Sequence, residues 1–261
     1  MIHETAIISD GAKISEKVEI GPYSLIGPNV VIESNTKIHS HVRITGNTIL
    51  GSENEIFSFA CIGNDPQDLK YQGEESLLKI GNKNKIREYV TINPGTKGGG
   101  GETIIGNDNL IMIQSHVAHD CYIGDNVVLA NNIQMAGHVK IESKVVIGGS
   151  TAIQQFVRIG EYSMIGGMSG VTSDVIPYGL SIGNRNYLEG LNLIGLRRAQ
   201  VSNENIKIIS QAYKEIFKSH SYRNNTENLS HEIKNNEYVE KIIKFINSDK
   251  KRSICIPKNI Q

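Results

Sequence analysis

The sequence predicts a mainly β protein, a parallel β-helix of six-residue units followed by a C-terminal α-helical domain. Three observations predict it. A large aliphatic residue leads every sixth position, a small or aliphatic residue sits two places before most leaders, and the spacing turns helical beyond Pro177.

The leaders run Ile2, Ile8, Ile14, Ile20, Ile26, Ile32, Ile38, Ile44, Leu50, Ile56 and Ile62 without a miss. The phase returns at Ile80, Ile86 and Ile92. After a one-residue shift it resumes from Ile105 to Val171, giving 26 leaders of which 21 are Ile. Residues two apart on an extended segment face the same way, so pairs such as Val18/Ile20 and Cys121/Ile123 point inwards together before the chain turns. Ten leaders are followed directly by Gly, which suits a turn. A period of six fits neither 3.6 nor 3.5, so a helix would scatter the leaders around its surface. Six is one short strand plus one turn. Three units close a triangular coil of 18 residues, and roughly nine coils stacked about 4.8 Å apart make a prism about 40 Å long. Aromatics are only 6% of the chain and Trp is absent, so aliphatics must fill that core.

The prism domain is expected over residues 1–176, with two excursions. The first spans 64–79, where the leader slots hold Asp68 and Glu74; it carries Gln67, Asp68, Lys70 and Tyr71 together and reads as a binding flap. The second, 93–104, holds the run Gly98 to Gly101. It reads either as a tolerated insertion or as a flap, and it is no P-loop, because neither a Lys-Ser/Thr pair nor a helix signal follows. Residues 177–261 are expected to form the helical domain. Ile206, Ile209, Tyr213, Ile216 and Phe217 lie at helical spacing behind an N-cap at Ser202 or Asn203. Leu229 with Ile233, and Val239, Ile242, Ile243 and Ile246, mark two further helices.

Composition excludes several classes. Lys+Arg and Asp+Glu are both 27, and a net charge of zero argues against a nucleic-acid coat. No apolar run reaches the ~18 residues of a membrane span, and Met1 to Thr5 has neither the basic nor the apolar region of a secretory signal. Three scattered cysteines, Cys61, Cys121 and Cys255, fit a reducing, cytoplasmic setting. From residue 197 onward 13 Lys/Arg stand against 7 Asp/Glu, so the tail carries +6 and the rest −6. That is either a solvated cap or a dock for an acidic partner.

A prism filled with Ile has no interior room for a substrate, so a site must lie outside it or between copies, and several prisms packed side by side are expected to close with threefold symmetry. His116, His119 and His138 mark the place. One coil is 18 residues, so Gly137 should lie over His119, His138 over Asp120 and Gln155 over Gly137. Five other histidines, His3, His39, His41, His220 and His231, are dispersed along the chain. Imidazole is the usual general base near neutral pH, and an adjacent Asp would orient it. Three imidazoles could instead hold zinc, although no thiolate or Glu completes the set. No Ser or Cys stands beside them as an obvious nucleophile, which favours direct transfer to a hydroxyl activated by the base.

The hexads, together with Gln67-Asp68-Leu69-Lys70-Tyr71, His116-Val117-Ala118-His119-Asp120-Cys121, Ala136-Gly137-His138, Gln155-Phe156 and Gly166-Gly167-Met168-Ser169-Gly170-Val171, resemble the UDP-N-acetylglucosamine O-acyltransferases, the family that opens lipid A synthesis. The resemblance runs from residue 1 into the C-terminal helices. It implies a left-handed coil, a homotrimer with sites between neighbouring prisms, and no cofactor. It implies His119 as general base toward the glucosamine 3-hydroxyl, Asp120 as its orienting partner and the Gly137 N–H as oxyanion donor. His116, His138 and Gln155 would line the sugar-nucleotide site, with Asp68 and Lys70 reaching it from the first excursion. Asn192 and Arg198 match positions at the nucleotide end, and Gly167 matches the position that limits acyl length. The implied donor is a 3-hydroxyacyl chain on acyl carrier protein, an acidic partner that suits the +6 tail. The chain departs from the family at Gln154 and Arg185, where His is frequent, at Ile194 and at Ala199. Two alternatives stay open: the 3-amino analogue of the sugar as acceptor, giving an amide, and another hexapeptide acyl- or acetyltransferase.

Overall fold

The computed structural model describes residues 1–260. Short strands, most of two residues and ending on a leader, alternate with turns and assemble among the described residues into three sheets of nine, eight and ten strands, parallel except for the last strand of the third, and these are the sides of a triangular prism. Strands three apart in the chain are neighbours within a sheet. Their register is 18 residues through the hexads wherever no excursion intervenes, as in His116 with Gln134 and Tyr122 with Lys140, and tightens to 16 at the last coil, where Met164 lies opposite Leu180.

The leaders from Ile20 to Val171 are buried, and they stack on those of adjacent coils as one continuous core. Fully burying such a side chain contributes about 1.5–3 kcal/mol. At the open N-terminal end Ile2 is 48% exposed, because no coil lies below it. Many of the polar inward residues bond the neighbouring coil. Asn54, Asn84 and Asn109 form such a ladder: Asn84 and Asn109 donate backbone N–H groups to the Oδ1 below at 2.9 Å each.

Most hexads turn through a left-handed residue three places after the leader. Nineteen non-glycine residues from Lys17 to Met168 do so, with φ between 55° and 66°. That conformation costs about 1–2 kcal/mol for an L-residue. It is offset here by a bond to the coil below: the His138 N–H donates to the His119 carbonyl at 3.0 Å, and Phe156 repeats this with Gly137 at 3.1 Å. These turn residues form three columns, one per prism edge. One edge carries Asp120, His138 and Phe156, a second Asp108, Asn126, Lys144 and Tyr162, and the third Gln114, Asn132, Ser150 and Met168.

Both excursions close sooner than the sequence predicts. Leu77 lies opposite Asn47, 30 positions earlier, and Glu102 opposite Leu77, so strands at Leu77–Ile80 and Glu102–Ile105 occupy the last residues assigned to each loop. Leu78 and Thr103, two before their leaders, are fully buried and mark the rejoined prism. The expected boundary at residue 177 also shifts. The prism's sheet continues through Gly179–Ile182, parallel to Met164–Ile165, and then turns back antiparallel through Tyr187–Leu191. These strands abandon the period of six, so the leader rule misses them.

Five helices follow: α1 (Leu193–Arg198), α2 (Asn203–Ile216), α3 (Tyr222–Glu227), α4 (His231–Lys234) and α5 (Glu237–Ser248). Ser202 caps α2 by accepting the Asn205 N–H, and Ile206, Ile209 and Ile216 face inwards. The amphipathic stretches were legible; α1 and α3, each six residues, were not. Asp174, with no exposed side-chain surface, clasps this domain to the prism by accepting from Arg158 Nε at 2.7 Å and Arg252 Nε at 3.2 Å.

Candidate active site

The column predicted from the 18-residue coil is present. His119 opens the turn after the strand His116–Val117, and Gly137 occupies the same place one coil up. The His119 ring lies directly over Gly137: a Cβ on that glycine would stand 2.6 Å from Cε1 and 2.7 Å from Nε2. Only a residue without a side chain leaves the imidazole there. The Gly137 N–H has no acceptor among the described residues. The corresponding positions of other coils hold Pro22 and Pro28, so the ladder does not use this donor.

Asp120 is next. Its side chain has no exposed surface, and its Oδ2 accepts the His119 Nδ1–H at 2.7 Å. That bond leaves Nε2 as the free basic nitrogen. His138 meets the His119 ring edge-on at a centroid distance of 5.1 Å and stacks flat on Phe156 at 4.4 Å. Burial pushes His138 below its ordinary imidazole value; the charges of His119 and Lys70 add to the fall, while Asp120 and Asp68 oppose it. His116 is likewise lowered, by burial first and then by His119, and its Nδ1 pairs with the Thr91 hydroxyl at 2.7 Å. Both side chains are therefore held toward the neutral form.

The potential ligand set for a metal differs from the three imidazoles of the zinc alternative. His119, Asp120 and His138 converge within 4.8 Å, whereas His116 is committed to Thr91. Cys121 follows Asp120 directly but points inwards and donates to the Ala136 carbonyl at 3.3 Å; burial pushes its thiol up to about 12. It has none of the character of a nucleophile.

The first excursion reaches this edge. Asp68 and Lys70, whose charges act on His138, form a turn in which Asp68 Oδ1 accepts the Lys70 N–H at 3.1 Å. With Glu74, Thr96 and Lys97 they line a cavity of about 590 Å³ between the two excursions. Gln155 is exposed beside Phe156. Gly167 stacks over Gly149 near the edge that carries Met168, its missing Cβ facing the Gly149 carbonyl at 3.2 Å.

Two expected residues do not join the cluster within one chain. Asn192 caps α1, accepting the Gly195 N–H at 2.9 Å, and donates to the Tyr162 carbonyl at 2.8 Å. Tyr162 belongs to a different prism edge from His119, and Arg198, exposed on α1, goes with it. Sequence reasoning missed Thr91, Thr96 and Thr103 around the histidines and Asp120. Thr91 and Thr103 lie on strands whose register crosses an excursion, and Thr96 lies within one, so the 18-residue step could not place them.

A hexapeptide prism with a His–Asp pair on its edge and a helical domain at its end defines the class of bacterial hexapeptide transferases. A profile described as bacterial transferase hexapeptide (six repeats) matches residues 102–132, and one described as UDP-N-acetylglucosamine O-acyltransferase, domain 2, matches 174–255. The acyl-[acyl-carrier-protein]–UDP-N-acetylglucosamine O-acyltransferase of Rhizobium johnstonii is 44% identical over 98% of this chain and 94% of its own length. That of Sulfurovum sp. is 47% identical over 96% of both. The solved UDP-N-acetylglucosamine O-acyltransferase of Moraxella catarrhalis superposes with a TM-score of 0.93 at 43% identity, covering 97% of this chain and 98% of that one. The chain belongs to the UDP-N-acetylglucosamine O-acyltransferase family, and its fold is the left-handed parallel β-helix with a C-terminal helical domain.

Proposed function

We propose that this chain transfers a 3-hydroxyacyl group from acyl carrier protein to the glucosamine 3-hydroxyl of UDP-N-acetylglucosamine, the first step of lipid A biosynthesis. The observation that carries the mechanism is the His119–Asp120 pair standing over the bare peptide of Gly137. His119 Nε2 takes the proton of the hydroxyl as its oxygen attacks the thioester carbon. Asp120 fixes the ring through Nδ1 and stabilises the imidazolium that forms. The Gly137 N–H donates to the developing oxyanion. The intermediate then expels the carrier thiolate, which takes the proton back from His119. A direct transfer fits the inert thiol of Cys121.

His138, with His116, Gln155, Asp68 and Lys70, holds the sugar and its diphosphate. Asn192 and Arg198 contact the nucleotide from another copy. Their place on a different edge from His119 supports a homotrimer, in which each prism sets one edge against a different edge of its neighbour. The +6 tail receives the acidic carrier protein. With acyl carrier protein as donor and a sugar nucleotide as acceptor, and with three scattered free cysteines that fit a reducing compartment, the enzyme works in the cytoplasm. Among the described residues no helix is long and apolar enough to cross a membrane.

The test is acyl transfer from 3-hydroxyacyl carrier proteins of several lengths, with UDP-N-acetylglucosamine and its 3-amino analogue offered separately. Transfer to the hydroxyl sugar, lost by roughly a hundredfold or more in His119→Ala, is expected from the usual worth of a general base. Full activity of that variant refutes the role of His119, and use of the amino sugar alone refutes the acceptor.

A further inference from the structure

The glycine-rich excursion is wrapped around the carboxylate of Asp120. Thr96 grips both oxygens: its backbone N–H donates to Oδ1 at 2.8 Å and its hydroxyl donates to Oδ2 at 2.7 Å. Oδ2 is the same oxygen that accepts the His119 Nδ1–H. Thr96 opens a single turn over Lys97–Gly99, yet its hydroxyl does not cap that turn. Instead the Thr96 carbonyl closes the loop, accepting the N–H groups of Gly99 at 3.0 Å and Gly101 at 2.8 Å, and the side chain is left for Asp120. Gly99 lies flat on the carboxylate: a Cβ there would fall 1.9 Å from its Cγ.

The prism itself does not bury a residue at this place. Asp120 is a left-handed edge residue, and its successors up the same edge, His138 and Phe156, keep 23% of the side chain and 48% of the residue exposed. Asp120 has no exposed side-chain surface, because the excursion between Ile92 and Glu102 folds across it. A carboxylate removed from water and given only fixed donors has one orientation, and so does the imidazole bonded to it.

We infer that Thr96 is a positioning residue for the general base and that the glycine loop is its mount. Thr96 holds the plane of the Asp120 carboxylate, which sets where His119 Nε2 points. Gly99 provides the close approach that lets the loop exclude water from that carboxylate. This rests on the reading of His119 as the base.

The experiment compares Thr96→Val, Thr96→Ser, Gly99→Ala and His119→Ala with the unaltered protein under saturating donor, each variant checked for its thermal melt. Thr96→Val keeps shape and backbone donor and loses only the hydroxyl. We expect kcat to fall at least tenfold with KM for the sugar nucleotide changed less than twofold, and Thr96→Ser to restore kcat to within threefold. Gly99→Ala should lower kcat by a similar factor without removing any polar group. A Thr96→Val enzyme with kcat within twofold of the unaltered one, while His119→Ala loses its hundredfold, overturns the inference and leaves the base assignment standing. A loss carried by KM, or one that Ser does not rescue, overturns it as well. Unimpaired His119→Ala removes the reading on which it rests.

Discussion

Gly137→Ala isolates the geometry of the base from every other contribution. The new methyl would sit 2.6–2.7 Å from Cε1 and Nε2 of His119, where ordinary contact begins near 3.4 Å. The ring must therefore retreat by about 0.7 Å, and the edge-on His138 ring on one side and the Asp120 bond on the other limit where it can go. A misplacement near 1 Å costs on the order of a hundredfold in a positioned reaction, so a fall in kcat of about 30- to 100-fold is expected. The peptide N–H survives the substitution, so the oxyanion donor is retained and the loss reports the imidazole alone. Single-turnover transfer at saturating donor and acceptor measures it directly. A turnover rate within threefold of the unaltered enzyme would refute the claim that the base works from its place over this peptide.

Further outcomes follow from the same structure. Gly167→Met, which adds a side chain above the Gly149 carbonyl, should shift preference toward shorter acyl chains; an unchanged profile across carrier-protein donors removes Gly167 as the length limit. His116, lowered from 6.5 by burial, is protonated more readily in the unfolded chain than in the folded one. Its share of stability is therefore intact above about pH 6.5 and drains as the pH falls toward the folded value. Melts between pH 7.5 and 5.5 should fall less steeply for His116→Asn than for the unaltered protein, and equal slopes count against it. Iodoacetamide at pH 8 should label the half-buried Cys61 and spare Cys121 and Cys255, whose buried thiols both stand at about 12. Mass spectrometry showing Cys121 modified as fast as Cys61 would contradict its burial.

The sequence by itself determined the prism, because a period of six written in Ile has no other way to bury its leaders. It also determined the central column. Once three hexads make a coil, His119, Gly137 and Gln155 must stack, since that register follows from counting. It could not place what an excursion brings in. The side chains of Thr91, Thr96 and Thr103 reach His116 and Asp120 across insertions of unequal length, where counting fails and only the folded loop sets the distance. Nor could it show that His41, read as one of five dispersed histidines, stacks between Tyr23 and Phe59 along an edge, with ring centroids 5.2 and 5.1 Å away. The continuation of the sheet to Leu191 was likewise decided by tertiary pairing, because the antiparallel return strand repeats no hexad. Local periodicity encodes what each coil buries. The burial of one edge carboxylate, on which the proposed chemistry depends, arises only where a non-repeating segment folds back against the repeat.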